Sequence, residues 1–355
     1  MDSDKVHVSL DELADVIAVV PYLLGFHPTL SLVILVINPA NGAVTATIRF
    51  DLPDSVTDGP ELAQQLGCIV TGNEASHVLL IGYGPGRRVT PIMDAVCRVL
   101  HGRHIEIIEA LRVEEGRYWS YLCPDPGCCP PEGTPFDITA TKAAASAVMA
   151  GVGVLPNRDA LVAMLSPASG SERVAMRTAT LAAHARAAAM LADPSVTGET
   201  WYAEGQERIR EALARTADGE ELSHEQVAWL GVLLTMIVVR DITVTFIDTY
   251  PADVLFRLWS RITRLVEVAY VPAPATLAAM AAYFNGDGAL ARIATDRALP
   301  ADPGYRMAGL LQFALDHGLP PQAIGQINTP DLPEQLAEQV REHAHVIRPV
   351  IHQLD

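Results

Sequence analysis

Apolar and polar positions alternate with different periods in the two parts of the chain. Residues 9–24, SLDELADVIAVVPYLL, begin with a serine followed three residues later by a glutamate, and then place Leu13, Val16, Ile17 and Val20 at helical spacing. This predicts an N-terminal helix, stopped by Gly25 and Pro28. Ser31 to Ile37 (SLVILVI) is a continuous apolar run rich in β-branched residues, the pattern of a strand covered on both faces. Asn41-Gly42 supplies hairpin chemistry, so Ala43 to Leu52 is expected to return as an antiparallel neighbour. A helix from about Glu61, a strand His77 to Tyr83, a helix Val89 to Leu100 and strands Ile105 to Val113 and Gly116 to Leu122 complete a mixed-sheet α/β domain.

The proline-rich stretch Pro124 to Pro135 breaks all periodicity and sets the expected domain boundary, with 1–136 as the α/β domain and 137–355 as an all-helical domain. Helical spacing then recurs over Thr139–Met149, Asn157–Leu165, Ser171–Leu191, Glu204–Ala217, Ser223–Val239, Ala252–Val268, Ala275–Phe284, Ala289–Leu299 and Tyr305–His317. Ser223 with Gln226 forms a capping box, and Gly318 is placed to end the last of these helices. Residues 275–318 have a helical-hairpin texture weakly like a tetratricopeptide unit, without a second copy at that period.

Composition narrows the class. Of 355 residues, 50% are hydrophobic and 19% charged, enough apolar side chain for a packed core and too much for a disordered chain. Acids outnumber bases 42 to 25, a net charge of -17 whose field repels phosphate backbones and anionic bilayers, so neither nucleic acid nor membrane is an expected partner. The N-terminus lacks the basic-then-apolar order of a secretory signal, and the apolar run Trp229 to Val239 is far short of the ~20 residues that span a bilayer. The expected location is therefore the cytoplasm, where the five cysteines would be thiols or metal ligands rather than disulfides.

Four segments together resemble an actinobacterial family, domain of unknown function 4192: PYLLGFHPTLSLVIL (21–35), RFDLP (49–53), GRYWSYLCPDPGCCPPEGTPF (116–136) and NGDGALARIATDRALPADPGYRMAGLL (285–311). An apolar helix ending in GFHP combined with a CxxxxCCP loop makes the resemblance specific. It implies an actinobacterial host and brings no assigned activity.

Three groups of residues could carry chemistry. Cys123, Cys128 and Cys129 are crowded into seven positions; small thiols filling turns are the commoner reading, a soft metal such as zinc or a reactive thiol the functional ones. Zinc would need a fourth ligand, for which Cys68, Cys97, His101 and His104 are candidates. His27 and Ser31 flank the join of first helix and first strand, with Arg49 and Asp51 on one face of the neighbouring strand; an ion pair and a helix-ending histidine compete with a ligand or hydrolase site. In GYGPGRR, Gly84, Arg87 and Arg88 stand between a strand and a helix, where backbone amides can hold a small anion, although a tight turn explains the glycines equally. No complete catalytic motif is present. The expected function is therefore a noncatalytic binding or scaffold protein with a protein partner or a second copy of itself. The alternative is a small-molecule enzyme or sensor built in the α/β domain.

Overall fold

A computed structural model describes residues 13–142, 145, 153–321 and 331–354. The chain divides into two compact units, residues 1–161 with 317–319, and residues 162–316 with 320–355. The first holds a mixed sheet with helices and the second is largely helical, which is the fold class expected.

Helix α1 (Leu13–Leu24) leads into β1 (Ser31–Ile37) and β2 (Val44–Asp51); α2 (Gly59–Gly72), β3 (His77–Tyr83), α3 (Gly86–Gly102), β4 (Glu106–Glu114), β5 (Arg117–Ser120) and β6 (Thr134–Pro135) follow. These strands form one sheet in the order β2-β1-β3-β4-β5-β6. Only the β3–β4 pair, joined through α3, is parallel; the others are antiparallel. All seven residues of β1 are buried, as the unbroken apolar run requires of a strand in mid-sheet. Leu32 and Ile34 face a core with Leu66 and Val70 of α2 and Ile92, Met93 and Val96 of α3, while Val33 and Leu35, on the other face, are buried as well. At roughly 25 cal/mol per Å² of apolar surface, such continuous burial is the main force holding the unit together.

In the helical unit α4 (Arg158–Ala163, of which residues up to Leu161 belong to the preceding unit) is followed by α5 (Gly170–Ala192), α6 (Gly198–Ala217), α7 (His224–Leu233), α8 (Ile237–Ile242), α9 (Ala252–Leu265), α10 (Pro272–Phe284), α11 (Gly288–Ala298), α12 (Arg306–Asp316) and α13 (Leu332–His343). Helix α10, buried almost along its whole length, packs against both α9 and α11.

Two helix boundaries correct the sequence reading. The helix expected from Glu204 starts at Gly198, where Thr197 and Thr200 cap each other reciprocally. The single helix expected over Ser223–Val239 is two, bent by 111°. Met236 is extended between them, and the Thr235 hydroxyl donates back to the Val232 carbonyl at 2.7 Å, a bond that competes with the helical ladder. Most of the helix expected at Thr139–Met149, and the Ser9 cap, lie outside the described residues. Among the described residues no single helix is long and apolar enough to cross a membrane.

Candidate metal centre

Strand β5 ends at Ser120, and the chain returns to it as β6 after a loop that contains Cys123, Cys128 and Cys129. Both ends of that loop are tied down. At the entrance the Ser120 hydroxyl accepts from the Leu122 amide (3.1 Å) and the Cys123 amide (3.0 Å) and donates to a Glu109 carboxylate oxygen (2.8 Å). At the exit the Trp119 indole N–H donates to the Pro131 carbonyl (2.9 Å) and Arg117 to the Gly133 carbonyl (2.8 Å). Gly133 has φ +83°, and a Cβ there would lie 2.5 Å from the Trp119 ring, so both backbone and space require glycine. Trp119 is held in turn by Arg112, whose guanidinium stacks 3.5 Å from the ring centroid while pairing with Glu114.

Between these clamps, Asp125 folds the loop back. Its carboxylate accepts from the Gly127 amide (2.8 Å), and its carbonyl accepts from the amides of Cys128 (3.1 Å) and Cys129 (2.7 Å). The turn places the adjacent Cys128 and Cys129 sulfurs 3.9 Å apart and brings all three sulfurs within 4.8 Å of one another. With zinc–sulfur bonds of about 2.3 Å, tetrahedral geometry needs sulfur separations of about 3.8 Å, so closing this cluster on an ion takes movements of an ångström or less.

The surroundings shift two of the thiols in opposite directions. The Asp125 backbone amide, and then Cys129, hold the Cys123 thiol below its usual range. Cys129 is pushed up to about 12, first by its hydrogen bond to Cys123 and then by burial. A cation among the sulfurs would replace these shared protons.

Among the described residues no further histidine, cysteine or carboxylate joins the group. His101 is turned to the Cys97 carbonyl (Nδ1···O 2.9 Å), and burial, then Asp94, pushes the Cys97 thiol up to about 11. Cys68 is exposed on α2 with its sulfur 3.3 Å from the Arg103 guanidinium.

The other sequence candidates sit elsewhere. Ser31, fully buried, faces Asp51 in the β1–β2 register, and its hydroxyl accepts from Arg49 Nη2 (2.7 Å) and Nε (3.0 Å) while donating to the Thr29 carbonyl (2.7 Å). Arg49 also pairs with Asp51 and lies over the Phe26 ring at 5.6 Å. His27 is exposed beside this group and is held by its backbone amide on the Leu155 carbonyl (3.1 Å). In the turn after β3, the Gly84 amide is spent on the Val113 carbonyl (2.9 Å), Arg88 donates to the Pro53 carbonyl (2.7 Å), and Arg87 is exposed. With β1, β3 and β4 between them, β2 and β5 lie on the order of 19 Å apart at the usual strand spacing. Arg49 and Asp51 therefore share no pocket with the cysteines. Two concavities, of about 150 Å³ beside Trp229 and about 430 Å³ between α2 and α3, include none of the candidates.

Sequence reasoning named the three cysteines but not Ser120 or Asp125, which gather them. The signal for Asp125 was present, since Asp-Pro-Gly is a turn sequence directly between the sulfurs.

The family model of the domain of unknown function 4192 matches residues 14–322, which include both clamps, the turn and all three cysteines. This chain belongs to that family. No curated protein and no solved structure matches it.

Proposed function

We propose that the chain is a noncatalytic cytoplasmic binding protein whose α/β unit holds a soft divalent cation, zinc foremost, on Cys123, Cys128 and Cys129. The observation that carries this reading is the convergence of three sulfurs within 4.8 Å in a loop clamped at both ends. Thiolates select soft ions. Three protein ligands leave the fourth position of a tetrahedral ion to solvent or to a ligand from outside, unlike a closed structural site with four. A noncatalytic role is supported by the Ser31 hydroxyl, which is fully buried and held between Arg49 and the Thr29 carbonyl, away from any solvent-open nucleophile position. A protein partner for the helical unit, or a second copy of the chain, is supported by exposed Val174 and Leu181, two turns apart on one face of α5.

The test is metal content of the full chain purified under reducing, chelator-free conditions, with zinc or cobalt added back, against Cys128→Ser/Cys129→Ser. Stoichiometric metal in the wild type and its loss in the variant are expected. A wild type that neither carries nor takes up either ion would overturn the reading.

A further inference from the structure

The loop that gathers the sulfurs also leaves them open to oxidants. Cys128 is exposed and Cys123 and Cys129 are half-buried, and all three are free thiols. Exposed thiolates beside a second thiol are the sites where peroxides act selectively. Resting on the metal reading, we propose that this loop is a redox switch in which a hydroperoxide joins Cys123 to Cys129 and so releases the bound ion.

The choice of pair follows from geometry. Cys128 and Cys129 are neighbours in sequence, and consecutive Cα atoms are about 3.8 Å apart, below the roughly 4.4–6.8 Å that an unstrained disulfide spans. Their 3.9 Å sulfur contact is therefore a poor route to a bond, and Cys123 must supply the partner. Of the two residues that could meet it, Cys129 shares its half-buried setting, whereas Cys128 is turned to solvent. The exposed sulfur stays within 4.8 Å of both others, placed to attack the finished disulfide in exchange or to pass it to a small thiol that resets the loop.

The chemistry balances without a cofactor. The Cys123 thiolate attacks one oxygen of the hydroperoxide; an S–O bond forms, the O–O bond breaks, and the alkoxide or hydroxide leaves and takes a proton from solvent. Cys129 then attacks the sulfenic sulfur; the S–S bond forms, the S–O bond breaks, and hydroxide departs with the Cys129 proton as water. Two thiols lose two electrons and the hydroperoxide gains them. One thiolate remains, too few to hold the ion against a chelator.

The experiment uses the full chain in a Cys68→Ser background, which removes the other exposed thiol, loaded with zinc and exposed to equimolar hydrogen peroxide. A chromophoric chelator reads released zinc, and peptide mapping reads the cross-link. The expected result is one zinc released per Cys123–Cys129 disulfide, restored by a dithiol reductant with added zinc. Cys129→Ser should instead stop at a Cys123 sulfenic acid trapped by a dione reagent. Zinc retained on the peroxide-treated protein, or a cross-link that leaves out Cys123, overturns the switch and leaves the metal reading standing. If the protein takes up no zinc, the metal reading fails, and the switch falls with it as a metal-release device whether or not the zinc-free loop cross-links.

Discussion

Ser120 is the residue through which the organisation of the cysteine loop can be tested without touching a sulfur. Its hydroxyl holds the Leu122 and Cys123 amides and the Glu109 carboxylate, whose Oε1 also accepts from the Ala110 amide at 2.8 Å. Ser120→Ala removes all three bonds and leaves two amides without their acceptor. Each bond contributes about 0.5–1.5 kcal/mol, and water replaces part of the loss at the solvent-exposed Leu122 amide, so the sum is about 1.5 kcal/mol of local stability rather than three times the upper figure. That corresponds to amide exchange about tenfold faster over the peptide from Arg117 to Pro130, read by deuterium uptake and mass spectrometry. Because Ser120 positions a proposed ligand from behind, zinc affinity by chelator competition should fall about 10–100-fold, as for other residues that orient metal ligands. Ser120→Thr keeps the hydroxyl at a strand end that suits a β-branched residue, and should restore both readouts. Unchanged exchange in Ser120→Ala would refute the clamp; faster exchange with unchanged zinc affinity would show that the clamp does not position Cys123.

Three further perturbations test packing and titration in the helical unit. Asp287 caps α11 through the Leu290 amide (2.9 Å), yet burial raises its pKa above the ordinary carboxylate range. Asp287→Ala should cost about 1 kcal/mol, whereas Asp287→Asn keeps the acceptor without the desolvated charge and should cost nothing at pH 7 in urea denaturation. The sign follows from the raised value: the wild type is at its best relative to Asp287→Asn below the unfolded aspartate pKa of about 3.9, and loses that advantage as pH rises through the higher folded pKa. Gly205 of α6 has no room for a methyl group, since its Cβ would lie 2.6 Å from both Val239 methyls, so Gly205→Ala should lower stability by about 1–3 kcal/mol and Val239→Ala should recover part of the loss in a double-mutant cycle. Burial, and then His352, hold the His184 pKa below its usual 6.5, while its Nε2 shares a 2.7 Å hydrogen bond with the Tyr270 hydroxyl that also accepts from the His352 amide. Stability from this group is present above pH 6.5 and lost as pH falls toward the folded value, so the amide protection factor in the segment at His352, taken relative to the intrinsic exchange rate at each pH, should fall on acidification from pH 7 to 5, and fall less in His184→Gln.

What could be read from the sequence depended on whether burial was one-sided or total. Strands β1 and β3 were legible to the residue because nearly every position in them is buried, which leaves an unbroken apolar run with sharp ends. Complete burial hid the opposite feature in the helical unit. Val227 to Leu234 are buried without exception, so no polar position marks the bend after them, and only Thr235, an ordinary residue until its hydroxyl is seen on the Val232 carbonyl, distinguishes two helices from one. The start of α6 was missed for a related reason: Thr-x-x-Thr is a weaker capping signature than Ser-x-x-Gln, and becomes one only when both hydroxyls are seen to engage.

The cysteine cluster shows where composition gives way to geometry. Cys128 and Cys129 are adjacent, and adjacent thiols seldom converge on one tetrahedral centre. What brings them together here is the Asp125 carbonyl, which collects the amides of both Cys128 and Cys129 and so places both of their sulfurs within 4.8 Å of Cys123. The turn in turn depends on the β5–β6 pairing, which Gly133 permits by yielding its side-chain volume to Trp119. A sequence shows each of these residues separately; their cooperation rests on a two-residue strand too short to be found by period. Because the clamp lies outside the sulfurs, Gly133→Ala should impair zinc uptake while leaving all three thiols in place, whereas a cluster assembled by the metal alone would take up zinc in that variant as well as in the wild type.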